Sequence, residues 1–201
     1  MGTSALLIVL TGKTASGKDT ILAKLRQKYP NLHKIITTTS RHKRTGEENG
    51  VDYHFVTREE FRKKIDSEDF VEFVEYGSNM YGTEKTELEA ALNQASIWRI
   101  DPSRAGEVRD FINRAFSKEQ ADQLLDHLVV FYITTAKDVI LKRLEARNLP
   151  QKEIETRLDD DELIWQKYKN KYDYIIENTP GKLNKTLARI INIIDTENET
   201  A

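Results

Sequence analysis

Gly12-Lys13-Thr14-Ala15-Ser16-Gly17-Lys18 decides the fold. Residues 5–11 in front of it are short, apolar and followed at once by a glycine-bounded turn, which reads as a buried strand. Residues 19–29 behind it carry Ile21, Leu22 and Leu25 at a spacing that faces a sheet, and Pro30 ends that helix. A strand, a Gly-x-x-x-x-Gly-Lys turn and a helix in this order make a phosphate loop. Its glycines let successive backbone N–H groups converge on phosphate oxygens, the helix N-terminus adds partial positive charge, and Lys18 bridges the β- and γ-phosphates. Residues 12–20 are therefore expected to bind a nucleoside triphosphate through Gly12, Lys13, Thr14, Ala15, Ser16, Gly17, Lys18, Asp19 and Thr20. Asp19 stands where Ser or Thr usually offers a hydroxyl to Mg²⁺, and Thr20 is the next candidate. Asp19 either binds the metal, usually through water, or favours the helix N-terminus as a carboxylate, and the sequence leaves both open.

Outward from the loop, strand-like and helical runs alternate, the pattern of an α/β layered domain with a largely parallel sheet. A second strand is expected over 33–37. Between 38 and about 83 the texture changes to paired charges, turn candidates at Gly46, Gly50 and Gly77, and aromatics on short strands at 53–56 and 70–74. Thr57 to Glu60 is a capping box opening a helix over 58–65. This segment reads as a subdomain inserted into the core. The core resumes with a helix over 84–94, a strand over 97–100, a polar helical stretch from about 104 to 127, and a strong strand over 128–133. Thr135 to Asp138 reads as a second capping box, for a helix to about Arg147 that Pro150 breaks. A charged helix over 152–171, a strand over 174–177 and an amphipathic helix over 182–194 complete the chain, with a frayed polar tail beyond 195.

Composition narrows the function. The 201 residues hold 31 basic and 33 acidic side chains, a net charge of −2, which argues against a nucleic-acid-coating protein. The longest apolar run, residues 5–10, is far short of the roughly 18 residues that span a bilayer. There is no Cys, so disulfides, thiolate metal sites and Cys nucleophiles are excluded, which fits a reducing compartment. Met1-Gly2-Thr3-Ser4-Ala5 lacks the basic start of a signal peptide, and Leu6 stands where a myristoylation signal wants Ser or Thr. A soluble, cytoplasmic protein is expected.

The acceptor of the phosphoryl group is read from a second stretch, Arg41-His42-Lys43-Arg44-Thr45-Gly46-Glu47-Glu48-Asn49-Gly50-Val51-Asp52-Tyr53-His54-Phe55. Arg41 and Arg44, with the hydroxyls of Tyr53 and Tyr81, suit a phosphate dianion bound by charge-assisted hydrogen bonds. Glu72 lies in the apolar run Phe70-Val71-Glu72-Phe73-Val74, on the strand face opposite Val71 and Phe73. One carboxylate there can accept both N1–H and N2–H₂ of a guanine, whereas adenine presents a lone pair at N1. On alternation alone Glu72 is equally an exposed strand carboxylate.

Together with the phosphate loop, Glu72 and Tyr81-Gly82-Thr83, the spacing Arg-x-x-Arg-x-Gly-Glu-x-x-Gly-x-Asp-Tyr-x-Phe resembles the guanylate kinases, from about Leu7 to Asn178 and most weakly between Thr83 and Leu128. The resemblance implies a P-loop core over 1–37 and 84–201, with a parallel sheet flanked by helices, a mixed-sheet GMP-binding subdomain over 38–83 and a helical lid over about 143–165. It implies transfer from ATP, with Mg²⁺, to GMP or dGMP, in a monomer or homodimer. GMP would be bound by Thr37, Arg41, Arg44, Glu47, Tyr53, Glu72, Tyr81, Gly82, Thr83 and Asp101. Arg143 and Arg147, at i and i+4 on one helical face, and Arg157 would close over the triphosphate, acting catalytically with Lys18 and Arg41, and Asn178 would lie near adenine. Asp159, Asp160, Asp161 and Glu162 read as a solvated helix face.

Two departures stand out. The family typically has Asp-Ile-Asp where this chain has Arg99-Ile100-Asp101, and the segment 105–127 is longer than usual. With Asp19 they resemble a related kinase of ribose 1,5-bisphosphate, which shares a Gly-Lys-Asp loop and a Ser-Arg-Ala segment like Ser103-Arg104-Ala105. That enzyme needs no base-reading acid, so the complete 41–55 motif with Glu72 speaks against it. A catalytically silent interaction module of the same fold typically loses the phosphate loop, which is intact here.

Overall fold

The computed structural model describes residues 5–76 and 78–200. The turn expected at Gly77 and the readings made on residues 1–4 lie outside the described residues.

The chain opens with β1 (Leu7–Gly12), the phosphate loop and α1 (Lys18–Lys28), as expected. The strand expected over 33–37 is instead two short pieces, β2 (His33–Lys34) and β3 (Thr38–Thr39), which belong to different sheets. The chain changes sheets between them, so Thr37 lies at the crossing rather than in a strand. There follow β4 (His54–Phe55), α2 (Arg58–Asp66), β5 (Phe70–Tyr76) and β6 (Asn79–Glu84). The capping box of α2 is present in full, Thr57 and Glu60 each satisfying the other's backbone N–H. α3 (Lys85–Glu89) and a single 3-10 turn lead to β7 (Ser96–Arg99).

The polar stretch 104–127 resolves into three short helices, α4 (Pro102–Gly106), α5 (Val108–Ala115) and α6 (Lys118–Asp126). β8 (Leu128–Thr134) and α7 (Lys137–Glu145) follow. α7 lacks the expected capping box: its N-cap is Ala136, and the Thr135 hydroxyl donates to Asn178 O at 3.0 Å. A buried carbonyl at the end of a neighbouring strand outbid the helix terminus. α8 (Gln151–Tyr168), β9 (Tyr174–Glu177) and α9 (Leu183–Thr200) finish the chain. α9 runs through the tail expected to fray, because Tyr29 Oη donates to Asp195 and Tyr174 Oη to Glu197, each at 2.7 Å.

Five parallel strands form the main sheet in the order β2-β7-β1-β8-β9. β1 and β8 are buried on both faces, as near-continuous apolar runs of parallel sheets must be. Leu7 and Val9 of β1, with Leu128, Val130 and Tyr132 of β8, pack under α4–α6 and the end of α8. The alternate residues Ile8, Leu10, Val129, Phe131 and Ile133 pack against α1 and α9. Trp165 of α8 lies on Tyr132, ring centres 5.0 Å apart. A second, mixed sheet, β4-β3-β6-β5, has its own small core in which Phe61 stacks on Phe70 at 4.4 Å. No helix among the described residues is long and apolar enough to cross a membrane.

Gly12 joins β1 to the loop at φ +138°, and a Cβ there would stand 2.0 Å from Ile133 O of β8. No rotation relieves a clash with paired backbone, since Lys13 N already donates to that carbonyl at 3.0 Å. Gly12→Ala should destabilise the fold by more than about 4 kcal/mol, at the exceptional end for one substitution. Urea unfolding measures it, and an unchanged midpoint would show that β1 and β8 separate more easily than this packing allows.

Candidate active site

The phosphate loop spans the C-terminal ends of β1 and the helix start of α1, where ligands of parallel sheets collect. Gly17, the N-cap of α1, is left-handed at φ 95°, and a Cβ on it would meet the Asn178 side chain. Asn178 is itself buried and donates from Nδ2 to Ser16 O at 2.8 Å, which ties β9 to the loop. Ser16 Oγ is buried with no partner, a donor facing an anion cradle. Lys18 Nζ folds back on Gly12 O and Lys13 O at 2.7 and 2.6 Å. Burial, and after it the positive charge of Arg99, lower its pKa to about 8.

A cleft of roughly 490 Å³ opens here, lined by residues 14–20, Asn178 and four arginines: Arg99, Arg143, Arg147 and Arg157. Arg143 donates to Ala15 O at 2.7 Å, and Arg157 pairs with Glu153 at 2.8 Å. The structure thus brings the three arginines expected of a lid to the loop. It departs from expectation at Asp161. Asp161 does not face solvent with its acidic neighbours; its Oδ2 accepts from Thr14 N at 2.8 Å, so a carboxylate of α8 rests on the loop. Burial raises its pKa, and the Thr14 N–H and Lys18 oppose the rise.

The second sheet gathers the acceptor residues. Arg41, just after β3, is held by Glu47 at 2.8 Å and by the His42 carbonyl at 2.7 Å, and its guanidinium lies 5.4 Å from the Tyr53 ring centre. Tyr53 meets Tyr81 edge-on at 6.2 Å. Glu47 therefore acts on Arg41, and its second oxygen accepts from Arg44 N at 2.8 Å. The Arg44 side chain is exposed.

Glu72 is 6% exposed. Simple alternation does not explain this, because Phe73 is exposed and Val71 is buried as well. The pairing of β5 with β6 slips between Phe70 and Glu72, and this bulge turns both Val71 and Glu72 inward. Gly82 leaves room for β5 to pass, since a Cβ there would lie 2.9 Å from Glu72 O. Thr83 Oγ1 donates to Glu72 Oε1 at 2.9 Å, and Trp98 Nε1 donates to Thr83 Oγ1 at 3.0 Å, so the carboxylate is fixed by a chain of donors from both sheets. Burial pushes the Glu72 carboxyl up to about 7, against the pull of Thr83 and Arg104 and with a smaller push from Asp101. Asp101 caps α4, accepting from Ser103 N at 2.8 Å.

A family model described as guanylate kinase matches residues 4–197. The chain belongs to the guanylate kinase family. Among curated guanylate kinases, that of Fusobacterium nucleatum is 32% identical over 190 residues, covering 94% of this chain and 95% of the relative. That of Campylobacter jejuni is 34% identical over 197 residues, covering 96% and 89%. The crystal structure of guanylate kinase from Anaplasma phagocytophilum shares the fold, with a TM-score of 0.65 at 23% identity over 98% of this chain and 88% of that one.

For a guanylate kinase family member, sequence reasoning missed four neighbours of the site. Arg99 and the turn Thr179-Pro180-Gly181 line the loop cleft, Asp161 sits on the loop, and Trp98 supports Thr83. Arg99 and the turn were findable, since both follow C-terminal ends of parallel strands. Trp98 carried no signal beyond strand-like apolarity.

The Glu72 shift has a sign that can be tested on the protein alone. Its folded-state pKa of about 7 lies above the ordinary 4.5, so between these values the folded chain binds more protons than the unfolded one. This contribution to stability is full below about pH 4.5 and lost as pH rises through about 7, by roughly 3 kcal/mol in all. Glu72→Gln should remove that slope from urea unfolding measured over this range, and a slope equal to wild type would assign the titration elsewhere.

Proposed function

We propose that this chain transfers the γ-phosphoryl group of ATP to GMP or dGMP, giving ADP and GDP or dGDP. The observation that carries the reading is the buried Glu72 carboxylate, fixed by Thr83 and Trp98, in a chain that also holds a complete phosphate loop. A phosphate oxygen of GMP forms the new P–O bond in line as the bond from the γ-phosphorus to the β,γ-bridging oxygen breaks, and ADP departs. No protein nucleophile is needed. Residues 38–83 then bind the acceptor: Arg41, oriented by Glu47, with Arg44, Tyr53 and Tyr81 takes its phosphate, and Glu72 with Thr37, Gly82, Thr83 and Asp101 reads guanine. The core residues 1–37 and 84–201 bind ATP. Arg143 and Arg157 trade Ala15 O and Glu153 for phosphate oxygens, joined by Arg147, as residues 143–165 close, excluding water.

Mg²⁺, when bound with ATP, would supply charge neutralisation at the phosphates. The residues present do not fit a protein-held cation: Asp19 is paired with Arg99 at 2.7 Å, Asp101 is spent on capping α4, and no group of three His, Cys, Asp or Glu among the described residues suits a metal. The metal is proposed to travel on the oxygens of ATP and on water, and of the two ligands expected from the sequence only Thr20 is left at the cleft. The proposed setting is the cytoplasm, as a monomer or homodimer, without nucleic acid.

Offering GMP, dGMP, IMP, AMP and ribose 1,5-bisphosphate with Mg·ATP tests the reading. GMP and dGMP should turn over, and comparable rates on AMP or on the sugar bisphosphate would sink it. Nothing in the fold or the comparisons favours the sugar-phosphate kinase or a silent module. Because guanine needs the ionised carboxylate, binding of guanosine, which has no titrating phosphate, should release up to one proton at pH 6. Calorimetry in two buffers of different ionisation heat counts it, and zero release on guanosine binding would place guanine away from Glu72.

A further inference from the structure

Arg99 ends β7, the strand beside β1, and the parallel register sets it opposite Leu10, just before the phosphate loop. It therefore stands where the sheet presents its ligand, and it lines the same cleft as Lys18. Its Nε lies 2.7 Å from Asp19 Oδ1 in the first turn of α1. That N–H is not aligned on the carboxylate, so the contact is an attraction of charges without a formed hydrogen bond. The two terminal nitrogens have no protein partner among the described residues, and 37% of the side chain is exposed. In contrast, Lys18, Arg143 and Arg157 all rest on protein oxygens.

A guanidinium held along its Nε edge leaves free the planar fork of its two terminal nitrogens, the shape that takes a phosphate in two parallel bonds. The placement is unfavourable without an anion between the two, since Arg99 is the cation that most lowers the Lys18 pKa. Two cations set side by side around a space repel until a polyanion fills it, and differential contacts of that kind favour the filled state.

We infer that Arg99 is a catalytic, phosphate-binding residue of the transfer site, its fork taking terminal phosphate oxygens of the nucleotide, and that Asp19 is its anchor rather than a metal ligand. This rests on the phosphoryl-transfer reading above. Arg99 then supplies by a fixed side chain part of the neutralisation that a protein-held cation would supply. Asp19 is a positioning residue, acting only through the guanidinium.

The test titrates ADP in excess EDTA into wild type, Arg99→Gln, Arg99→Lys and Asp19→Asn, with thermal unfolding as the check on folding, and assays each with Mg·ATP and GMP. Arg99→Gln should weaken metal-free ADP binding about tenfold or more and lower kcat about 10²-fold or more, leaving KM for GMP unchanged. Arg99→Lys, which keeps the charge and loses the fork, should recover part of the ADP affinity and little of kcat. Should Arg99→Gln fail to fold, Arg99→Lys decides alone. Wild-type ADP affinity and kcat in a folded Arg99 variant overturn the inference. For Asp19→Asn the expected result is a few-fold loss of metal-free ADP affinity with the Mg²⁺ requirement unchanged. A large rise in that requirement with ADP binding intact would make Asp19 a metal ligand and overturn the anchor. A wild-type protein that binds ADP through Arg99 yet does not phosphorylate GMP would refute the acceptor reading and leave this inference standing.

Discussion

Lys18→Ala should lower kcat for GMP phosphorylation by about 10³-fold or more, the loss of a preorganised cation at the point where charge builds up. The contacts of Lys18 show why the effect falls on rate rather than on folding. Lys18 Nζ rests on two carbonyls of its own loop, Gly12 O and Lys13 O, and its pKa near 8 records how little that setting favours the charge. Removing it leaves two loop carbonyls behind the cleft that Lys18 lines, within reach of water through that opening. The unfolding midpoint should stay within about 3 °C of wild type. A phosphate entering the loop offers the ammonium the counter-charge that the carbonyls cannot, so most of its interaction energy appears only with substrate bound. Steady-state kinetics beside a thermal melt decide it, and turnover within a few fold of wild type would refute the phosphate-loop assignment.

Glu72→Gln should lower kcat/KM for GMP by about 10³-fold while KM for ATP changes less than threefold or so. The wild-type carboxylate offers two acceptors to the two donors of guanine, and Gln keeps the shape but replaces one acceptor with a donor. Since Thr83 already donates to Oε1, the amide has no orientation that satisfies Thr83 and both guanine donors together. The same arithmetic makes AMP a poor substrate of wild type above about pH 8, at least about 10³-fold below GMP, because Glu72 is then ionised and adenine leaves the buried carboxylate unpaired. The variant should narrow that gap chiefly by losing GMP. Equal losses on GMP and ATP would mean that Glu72 supports the fold and does not read the base.

Legibility in the sequence followed the range of the interactions. The loop at 12–18 and the cap at 57–60 were legible because the residue types and spacing that mark each of them fall within seven consecutive positions, and the structure shows both. Burial of Glu72 was left undecided by alternation, since the bulge that turns it inward depends on how β5 pairs with β6. Asp161 was misread as a solvated residue because its partner, Thr14, is 147 positions away and nothing near it in sequence marks the inward turn. Thr135 failed as a cap for the same reason, captured by Asn178 across two strand ends. Arg99 and Asp19 each looked like an isolated departure from the family pattern, and only the fold shows that they touch.

Asp161 on the Thr14 amide has a consequence for how occupancy of this site can be seen. One N–H cannot serve a carboxylate of α8 and a phosphate at full strength, so on the proposed function a filled loop and the present seat of α8 compete. One helical turn beyond Asp161, α8 carries Trp165 against the Tyr132 ring. Only two tryptophans exist in the chain, and the other, Trp98, is buried with its Nε1 donating to Thr83 Oγ1. On the proposed function, displacement of Asp161 by a nucleotide should therefore change the emission of Trp165, and a signal unaltered by ADP would leave α8 in its present seat.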